Sequence, residues 1–250
     1  MTERQASEGH RARVGDISIY HELNGSGPPL VLIGGLGADL TMLDALTIEL
    51  AEHHQVLTFD NRGAGRSDQP DQPYTIALMA DDTVGLMDAL DLPRADVMGF
   101  SMGGRIALEL ALARPDRVRR LVLVSTSARG RGRITMSAPM RVLWLLRWMP
   151  PLRKNYPQSK AAHRRQRQAT LTYDASDRLT SLTVPTLILH GRRDRTVPLA
   201  LARELAAQIP GARLGLFRGG HMFFLFGQRR DAVRRVEDFL AEPGSPPPGI

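Results

Sequence analysis

Short apolar runs and longer segments with helical spacing alternate along most of this 250-residue chain. The run at 95–100 is short and mostly apolar, which is typical of a strand buried on both faces of a sheet. At 74–90, Leu78, Val84 and Met87 recur at helical spacing. Strands separated by helices predict an α/β fold with a mostly parallel sheet that is covered by helices on both faces.

The same patterns locate the individual elements. The predicted strands lie at 17–23, 30–33, 55–60, 95–100, 121–124, 186–190 and 212–217. The predicted helices lie at 41–52, at 74–90, from the end of the fourth strand to about 114, at 198–208 and at 228–240. The first strand alternates polar and apolar residues, as an exposed hairpin strand does.

The interval 128–182 breaks this alternation. It holds Trp144 and Trp148, a Pro150-Pro151 pair and an arginine-rich polar segment. We predict helices at 140–149 and 160–172 that form a cap over the carboxyl end of the sheet, where open α/β sheets bind ligands. The predicted organisation is a core of residues 1–127 and 183–241, the inserted cap at 128–182, and a disordered Pro- and Gly-rich tail at 242–250.

Composition restricts the class of protein. Hydrophobic residues make up 42% of the chain and charged residues 24%, values of a soluble globular protein. No stretch approaches 18 uncharged apolar residues, which predicts no membrane span. The polar residues 1–13 do not resemble a signal peptide, so the cytoplasm is the expected location. With no cysteine, disulfides, thiol nucleophiles and cysteine-ligated metals are excluded.

The formal charge of +7 is unevenly distributed. Residues 129–180 contain twelve lysines and arginines and two aspartates, a net +10, which leaves −3 for the rest of the chain. The segment lacks interleaved aromatic residues and any nucleic-acid-binding motif, so nucleic acid is not an expected partner. The remaining explanations are a solvated basic face, or attraction of an anionic substrate or an acidic carrier protein.

One segment carries candidate chemistry. Ser101 lies between a predicted strand and a predicted helix, with Gly99 and Gly103 two positions to either side, which is the G-x-S-x-G arrangement of a nucleophile elbow. The turn is so sharp that the serine takes a strained backbone conformation, and side chains at the two glycines would collide with it. A serine that only caps a helix gives a similar pattern, so both alternatives remain open for this segment alone.

Five segments together give the chain a resemblance to the α/β-hydrolase family over residues 17–240. They are GGLG at 34–37, DNRGAGRSD at 60–68, GFSMGG at 99–104, HGRRD at 190–194 and GGH at 219–221. Their order along the chain is the family's order. The overall pattern is similar to that of enol-lactonases and small carboxylesterases, and it implies the α/β-hydrolase fold.

The resemblance implies a catalytic triad of Ser101, Asp194 and His221 in the family's chain order. A free hydroxyl is a poor nucleophile at neutral pH, so an imidazole must accept its proton. A carboxylate must then hold the imidazole and stabilise its charged form. Asp194 and His221 each follow a predicted strand at the place that matches the family, and residues 125–127 offer no alternative carboxylate.

The resemblance also implies an oxyanion hole formed by the backbone N–H groups of Leu36 and Met102. Many relatives have His-Gly where this chain has Gly34 and Gly35, so a side chain that could brace the loop is absent. Two alternatives follow: a looser oxyanion hole, or a loop that is braced by residues elsewhere in the chain.

Other histidines are expected to lie outside the chemistry. His190, on a predicted strand, is expected to be structural, whereas His53, His54 and His163 lie in polar surroundings and are expected to be solvated. The DNRGAGRSD segment is expected to form a structural turn with a local ion pair.

These residues favour a serine hydrolase that cleaves a small carboxylic ester or lactone through an acyl-enzyme, with no cofactor and no metal. Gly35, Trp144 and Met222 are the candidate substrate-binding residues. Ser101 argues against the relatives that open epoxides or displace halide with a carboxylate nucleophile. A thioesterase or a carbon–carbon bond hydrolase with the same triad remains an alternative, as does a non-hydrolytic ligand-binding or cyclase-type member of the fold.

Overall fold

The computed structural model describes residues 9–130, 156, 158–225 and 227–242. These residues form one eight-stranded sheet with helices on both of its faces. The strands are β1 (His10–Val14), β2 (Ile17–Asn24), β3 (Pro29–Ile33), β4 (Gln55–Phe59), β5 (Ala95–Phe100), β6 (Val118–Val124), β7 (Thr186–Gly191) and β8 (Arg213–Phe217). The α-helices are α1 (Asp44–Leu50), α2 (Ile76–Ala89), α3 (Met102–Ala113), α4 (Lys160–Thr172), α5 (Leu199–Gln208) and α6 (Arg229–Leu240). None of these described helices is long and apolar enough to cross a membrane.

The sheet is mostly parallel, which confirms the prediction from the alternating pattern. Its strand order is β1-β2-β4-β3-β5-β6-β7-β8. Strands β3 to β8 are parallel, while β1 and β2 form an antiparallel hairpin and β2 pairs antiparallel with β4. Because the parallel strands share a direction, the loops that follow β3, β4, β5, β7 and β8 emerge at one end of the sheet.

Two hydrophobic clusters cover the two faces of the sheet. Successive residues of β3 alternate between them: Val31 belongs to one cluster and Leu32 to the other, as the pleat of a strand requires. Helices α2, α3 and α5 pack on the first face, and α1 and α6 pack on the second. This two-sided burial explains why the central strands are continuously apolar in sequence.

Beyond shifts of one or two residues at their ends, the strands and α-helices differ from the prediction at three places. Strand β1 was not predicted, because Val14 is the only buried residue of this edge strand and the strand therefore has no apolar pattern. The predicted helix 41–52 is divided into a 3-10 turn at Leu40–Leu43, capped by Asp39, and helix α1. Strand β6 begins at Val118 rather than 121, since Val118 pairs with Ala95 of β5, and the charge of Arg119 is matched by the buried Asp96 of β5.

One expectation about polar side chains is wrong. His54 is buried rather than solvated, and its Nε2 lies 2.9 Å from Oε2 of Glu237 on α6. The error arises because the partner is distant in sequence and is brought close only by packing.

The DNRGAGRSD turn has the expected local ion pair, in which Arg66 Nε lies 3.5 Å from Asp60 Oδ2. Arg62 of the same turn reaches further, to Asp16 in the β1–β2 turn and to Asp82 on α2.

Part of the predicted cap is described. Helix α4 begins and ends where a helix was predicted, at 160 and 172, and Ser159 caps it by accepting a hydrogen bond from Ala162 N (3.1 Å). Its buried residues Ala162, Gln166, Ala169 and Thr170 share one face of the helix. The predicted helix 140–149, Trp144 and tail residues 243–250 lie outside the described residues, and the division into core, cap and tail stays a prediction.

Arg105 connects the two described ends of the cap segment to α3. This buried guanidinium donates to the carbonyl oxygen of Thr170 on α4 (2.7 Å), to the carbonyl oxygen of Arg129 (3.1 Å) and to Ser127 Oγ (2.9 Å). Burial disfavours the charged form and lowers the pKa of Arg105 to about 10. The guanidinium thus gives hydrogen bonds to two backbone carbonyl groups of the cap segment despite its burial.

Candidate active site

Ser101 occupies a strained turn between β5 and α3. Its φ of 55° and ψ of −112° lie in a region that residues other than glycine rarely adopt. Backbone hydrogen bonds hold it there: Ser101 N donates to Val124 O (2.9 Å), and Thr126 Oγ1 donates to Ser101 O (2.7 Å). Strand β6, which contains or adjoins both partners, therefore maintains the strain.

The flanking glycines leave no room for side chains, as the motif predicted. A Cβ atom at Gly99 would lie 2.7 Å from the Cα of Gly104 and still closer to the carbonyl oxygen of Gly103. A Cβ atom at Gly103 would lie 2.6 Å from the carbonyl oxygen of Gly34 and closer again to that of Ile33. These are backbone contacts that no rotamer change can relieve.

His221 lies in the loop after β8, and its Nε2 is 3.0 Å from Ser101 Oγ. Ser125, which directly follows β6, holds this loop, because its Oγ donates to the carbonyl oxygen of His221 (2.9 Å). The Phe100 ring packs against the imidazole with centroids 5.0 Å apart. Backbone and ring contacts together restrict the imidazole to an orientation that faces the serine.

Asp194 lies in the loop after β7, and both of its carboxylate oxygens are used. Oδ2 is 2.8 Å from His221 Nδ1, and Oδ1 accepts from the backbone N–H groups of Thr196 (2.8 Å) and Val197 (2.9 Å). An ionised carboxylate only accepts hydrogen bonds, so the shared proton lies on Nδ1 of His221. Nε2 then presents its lone pair to the hydroxyl of Ser101.

The structure therefore brings together Ser101, Asp194 and His221 in one hydrogen-bonded chain at the carboxyl end of the sheet. The three come from loops after β5, β7 and β8 and are separated by up to 120 residues in sequence. Such an arrangement can transfer a proton from the hydroxyl as its oxygen attacks an electrophile.

A second histidine lies beside the acid. His190 is fully buried on β7, with Nε2 2.9 Å from Val197 O and 3.6 Å from Asp194 Oδ2. Because a carbonyl oxygen only accepts, Nε2 of His190 carries the proton. Burial lowers the pKa of His190, so the ring is neutral at pH 7. It contacts the loop of Asp194 without competing for the bond to His221.

The loop after β3 forms a tight turn. Ala38 N donates to Gly35 O (3.2 Å), and Gly37 has a φ of 65°, a value that favours glycine at this position of a turn. Among the described residues, the N–H groups of Leu36 and Met102 donate to no backbone carbonyl or side chain. Their role as an oxyanion hole stays a prediction.

Two of the three candidate substrate-binding residues are described. Gly35 leaves little space for a side chain, since a Cβ atom would lie 3.1 Å from Cδ1 of Phe100. Met222 is half-buried and packs against the hydrophobic cluster that contains Phe100. Trp144 lies outside the described residues. In the described part of the chain, no group of three or more His, Cys, Asp or Glu side chains is arranged to hold a metal ion.

Sequence reasoning missed Ser125, Asn61 and Gln166. Asn61 Nδ2 donates to Gly34 O (3.1 Å), and Gln166 on α4 accepts from Gly37 N through Oε1 (2.9 Å). Asn61 lies two residues after β4 and Ser125 directly follows β6, and this position at the carboxyl end of a central strand is a signal that could have marked them. Gln166 has no comparable signal, because it lies in a polar helix and contacts residues far away in sequence.

Comparison with known proteins places the chain among hydrolases. A family model described as alpha/beta hydrolase fold matches residues 28–160, and one described as TAP-like protein matches 156–250. A protein of Azorhizobium caulinodans, provisionally named carbamate hydrolase RutD, is 31% identical, covering 85% of this chain and 91% of that protein. The 2-hydroxymuconate semialdehyde hydrolase of Pseudomonas sp. strain CF600 is 32% identical, covering 88% and 89%. The crystal structure of the enol-lactonase from Burkholderia xenovorans LB400 has a TM-score of 0.81 at 29% identity, covering 93% of this chain and all of that one.

Proposed function

Since the chain belongs to the alpha/beta hydrolase fold family and is a hydrolase, we propose that it cleaves a small carboxylic ester or lactone with Ser101 as nucleophile. The observation that carries this proposal is the hydrogen-bonded chain from Ser101 through His221 to Asp194. Resemblance to an enol-lactonase structure supports the ester or lactone class.

In the first half of the proposed reaction, Ser101 Oγ attacks the carbonyl carbon while His221 Nε2, 3.0 Å away, accepts the hydroxyl proton. Asp194 stabilises the resulting imidazolium through the 2.8 Å bond to Nδ1. The oxyanion is held by the N–H groups of Leu36 and Met102. The tetrahedral intermediate then collapses, and His221 gives its proton to the departing alkoxide, which leaves an acyl-enzyme on Ser101.

In the second half, water attacks the acyl-enzyme while His221 Nε2 accepts one of the water protons. The same N–H groups hold the second oxyanion. When the intermediate collapses, the bond from carbon to Ser101 Oγ breaks and His221 returns the proton to Oγ. The products are a carboxylic acid and the regenerated serine, and the chain's own side chains with one water molecule complete the cycle.

A serine-to-alanine variant tests this mechanism. We expect Ser101→Ala to lower turnover of p-nitrophenyl acetate by at least about 10⁴-fold, because the acyl-enzyme cannot form. The matched control is Ser181→Ala, which removes an exposed hydroxyl that donates to Arg178 O and should keep wild-type turnover. Labelling by a fluorophosphonate probe measures activation of Ser101 directly.

Unchanged turnover in the Ser101 variant would refute the assignment of Ser101 as the nucleophile. A wild-type protein that binds small molecules but neither turns over esters nor takes the label would indicate a ligand-binding role instead.

A second candidate reaction is hydrolysis of a carbamate, favoured by the name of the relative from Azorhizobium caulinodans. A carbamate carbonyl accepts the same attack by Ser101, with an amine-bearing group leaving in place of an alcohol. Thioester and carbon–carbon bond cleavage are further possibilities for the same triad. A panel of matched ester, lactone, thioester, carbamate and vinylogous dione substrates, with the Ser101 variant as blank, ranks these reactions by kcat/KM.

The charge around the candidate site favours an anionic substrate, which we propose as the substrate class. Arg192, Arg193 and Arg195 flank Asp194, and Arg218 precedes the loop of His221; all four are exposed. Among the described residues, none of the four forms an ion pair with a carboxylate. Unpaired positive charge around a site raises the local concentration of anions. The same field suits an acidic carrier protein that presents an acyl group.

A further inference from the structure

We propose that Gln166 is a positioning residue that fixes the loop bearing Leu36, so that this N–H faces the developing oxyanion. The inference rests on the proposed function, since it concerns the same oxyanion hole. It also resolves the question that Gly34-Gly35 raises, because the loop is braced by residues elsewhere in the chain.

Gln166 connects the cap helix α4 to two loops at the carboxyl end of the sheet. Its side-chain Oε1 accepts from Gly37 N (2.9 Å) after β3, and its Nε2 donates to Arg62 O (2.8 Å) after β4. The residue is 0% exposed. If the side-chain amide were rotated by half a turn, its NH₂ group would face the N–H of Gly37 and its oxygen would face the carbonyl oxygen of Arg62. Only the observed orientation therefore satisfies both partners.

Three consecutive peptide groups of the loop are each held by one hydrogen bond. Asn61 Nδ2 holds the carbonyl of Gly34 (3.1 Å), Ala38 N holds the carbonyl of Gly35 (3.2 Å), and Gln166 holds the N–H of Gly37. In a trans peptide the C=O and N–H groups point in opposite directions. Fixing the carbonyl of Gly35 therefore fixes the direction of the Leu36 N–H, and the bonds on either side prevent the neighbouring groups from turning.

The bond from Gln166 restrains the part of this turn that is most free to move. Glycine adopts positive and negative φ almost equally, so the peptide group between Leu36 and Gly37 can rotate unless its N–H is held. Rotation of that peptide group would disturb the turn that the hydrogen bond from Ala38 N to Gly35 O closes, and it would move the adjacent N–H of Leu36. Since an oxyanion donor acts through its position, a small displacement weakens stabilisation of the transition state more than binding of the substrate.

The test compares Gln166→Met with Gln168→Met. Methionine at 166 keeps the approximate length and volume but forms neither hydrogen bond, while Gln168 is exposed on the same helix and serves as the control. We expect the variant at 166 to lower kcat for p-nitrophenyl acetate by about 10- to 100-fold, below the loss for a missing donor, with KM within about 3-fold. Binding of a trifluoromethyl ketone, which forms a tetrahedral oxyanion on the serine, should weaken in parallel with kcat. The control should match the wild type in all three.

A second variant covers the case in which Gln166→Met fails to fold. In Gln166→Glu, the introduced carboxyl group when protonated can accept from Gly37 N and donate to Arg62 O, whereas its ionised form opposes the carbonyl of Arg62. We expect its kcat relative to wild type to be highest at low pH and to fall as the pH rises, measured at a temperature where the variant is fully folded throughout that range. If Gln166 had a purely structural role, Gln166→Glu would change the stability of the protein, but the ratio of its kcat to that of the wild type would not depend on pH.

The outcomes separate the two proposals. If wild-type turnover does not depend on Ser101, the proposed function is wrong, whatever Gln166 does. If turnover depends on Ser101 but Gln166→Met keeps the wild-type kcat and trifluoromethyl ketone affinity, only the positioning role is overturned. A loss confined to KM would overturn it as well, because it would assign Gln166 to substrate binding.

Discussion

Single atoms decide the geometry around Ser101. The Cα of Gly103 faces the carbonyl oxygens of Ile33 and Gly34, so the nucleophile turn and the candidate oxyanion loop touch each other through backbone alone. Gly34 itself is less constrained, because a Cβ atom there would meet only side-chain atoms at 3.7 and 3.8 Å. Gly103 is therefore required to be glycine by backbone contacts, whereas the space around Gly34 would accept a Cβ atom.

We expect Gly103→Ala to lower the free energy of unfolding by about 3 kcal/mol, at the upper end of over-packing costs, because the contacted atoms belong to the backbone. Gly34→Ala should change it by less than about 0.5 kcal/mol, since the contacts there are ordinary ones. Urea denaturation followed by circular dichroism measures both. Equal effects from the two substitutions would contradict this account of Gly103.

At the scale of elements, Arg62 connects the loop after β4 to α2 and to the β1–β2 turn. Its guanidinium donates to both carboxylate oxygens of Asp82 (2.6 and 2.7 Å) and to Asp16 (2.9 and 3.2 Å). Burial opposes the charged form, but these bonds outweigh it and raise the pKa of Arg62. The hydrogen bonds from Arg62 in turn lower the pKa of Asp16 to about 2.

This lowered pKa makes the contribution of Asp16 to stability pH-dependent. The folded pKa lies below the ordinary value of 3.8, so the contribution is present above about pH 4 and is lost as the pH falls from about 4 to about 2. The side chain is 51% exposed, so solvent screening limits the contribution to less than about 1 kcal/mol.

We expect Asp16→Asn to lower the free energy of unfolding by about 0.5–1 kcal/mol at pH 7 and to have no effect at pH 2. Asp116→Asn, at an exposed position, is the matched control. Urea titrations at the two pH values provide the comparison. A difference of the same size at both would show that the charge of Asp16 is not the cause.

At the scale of the whole molecule, charge and topology combine at one end of the sheet. The parallel strands direct the loops of Ser101, Asp194 and His221 to the same end, and the exposed arginines of these loops lie there too. Helix α3 runs from Ser101 to the opposite end of the sheet, where the exposed Arg114 follows it. Substitutions at the two ends of the sheet can therefore distinguish the effect of local positive charge at the site from the effect of the net charge of +7.

We expect the double substitution Arg192→Glu with Arg193→Glu to lower kcat/KM for a carboxylate-bearing ester by about 10-fold at low ionic strength, and for a neutral ester by much less. Raising the salt concentration to about 0.5 M should remove most of the difference, because it shortens the screening length. Arg114→Glu changes charge at the opposite end and should leave both substrates unaffected. Equal losses for the neutral and the anionic ester would rule out electrostatic attraction.

Local pattern in the sequence was sufficient for most of the strands and helices in their order, with β1 as the exception among the strands, and for the mostly parallel sheet and the family. Burial on one or both faces gives each element a period that can be read without its neighbours, and α4 begins and ends where that period predicted. Steric motifs are equally local: Gly99 and Gly103 exclude side chains for reasons contained within a few residues and one adjoining loop.

Contacts between distant segments were decided only by the tertiary structure. Glu237 beside His54, Asp82 beside Arg62 and Gln166 beside Gly37 are separated by 20 to 183 residues, and no periodicity in one segment specifies its partner in another. A buried polar atom must find a partner of the right chemistry within about 3 Å, and packing of the whole chain determines which one is available. For this protein the sequence therefore specified which side chains could perform the chemistry, while the fold decided which residues hold them in place.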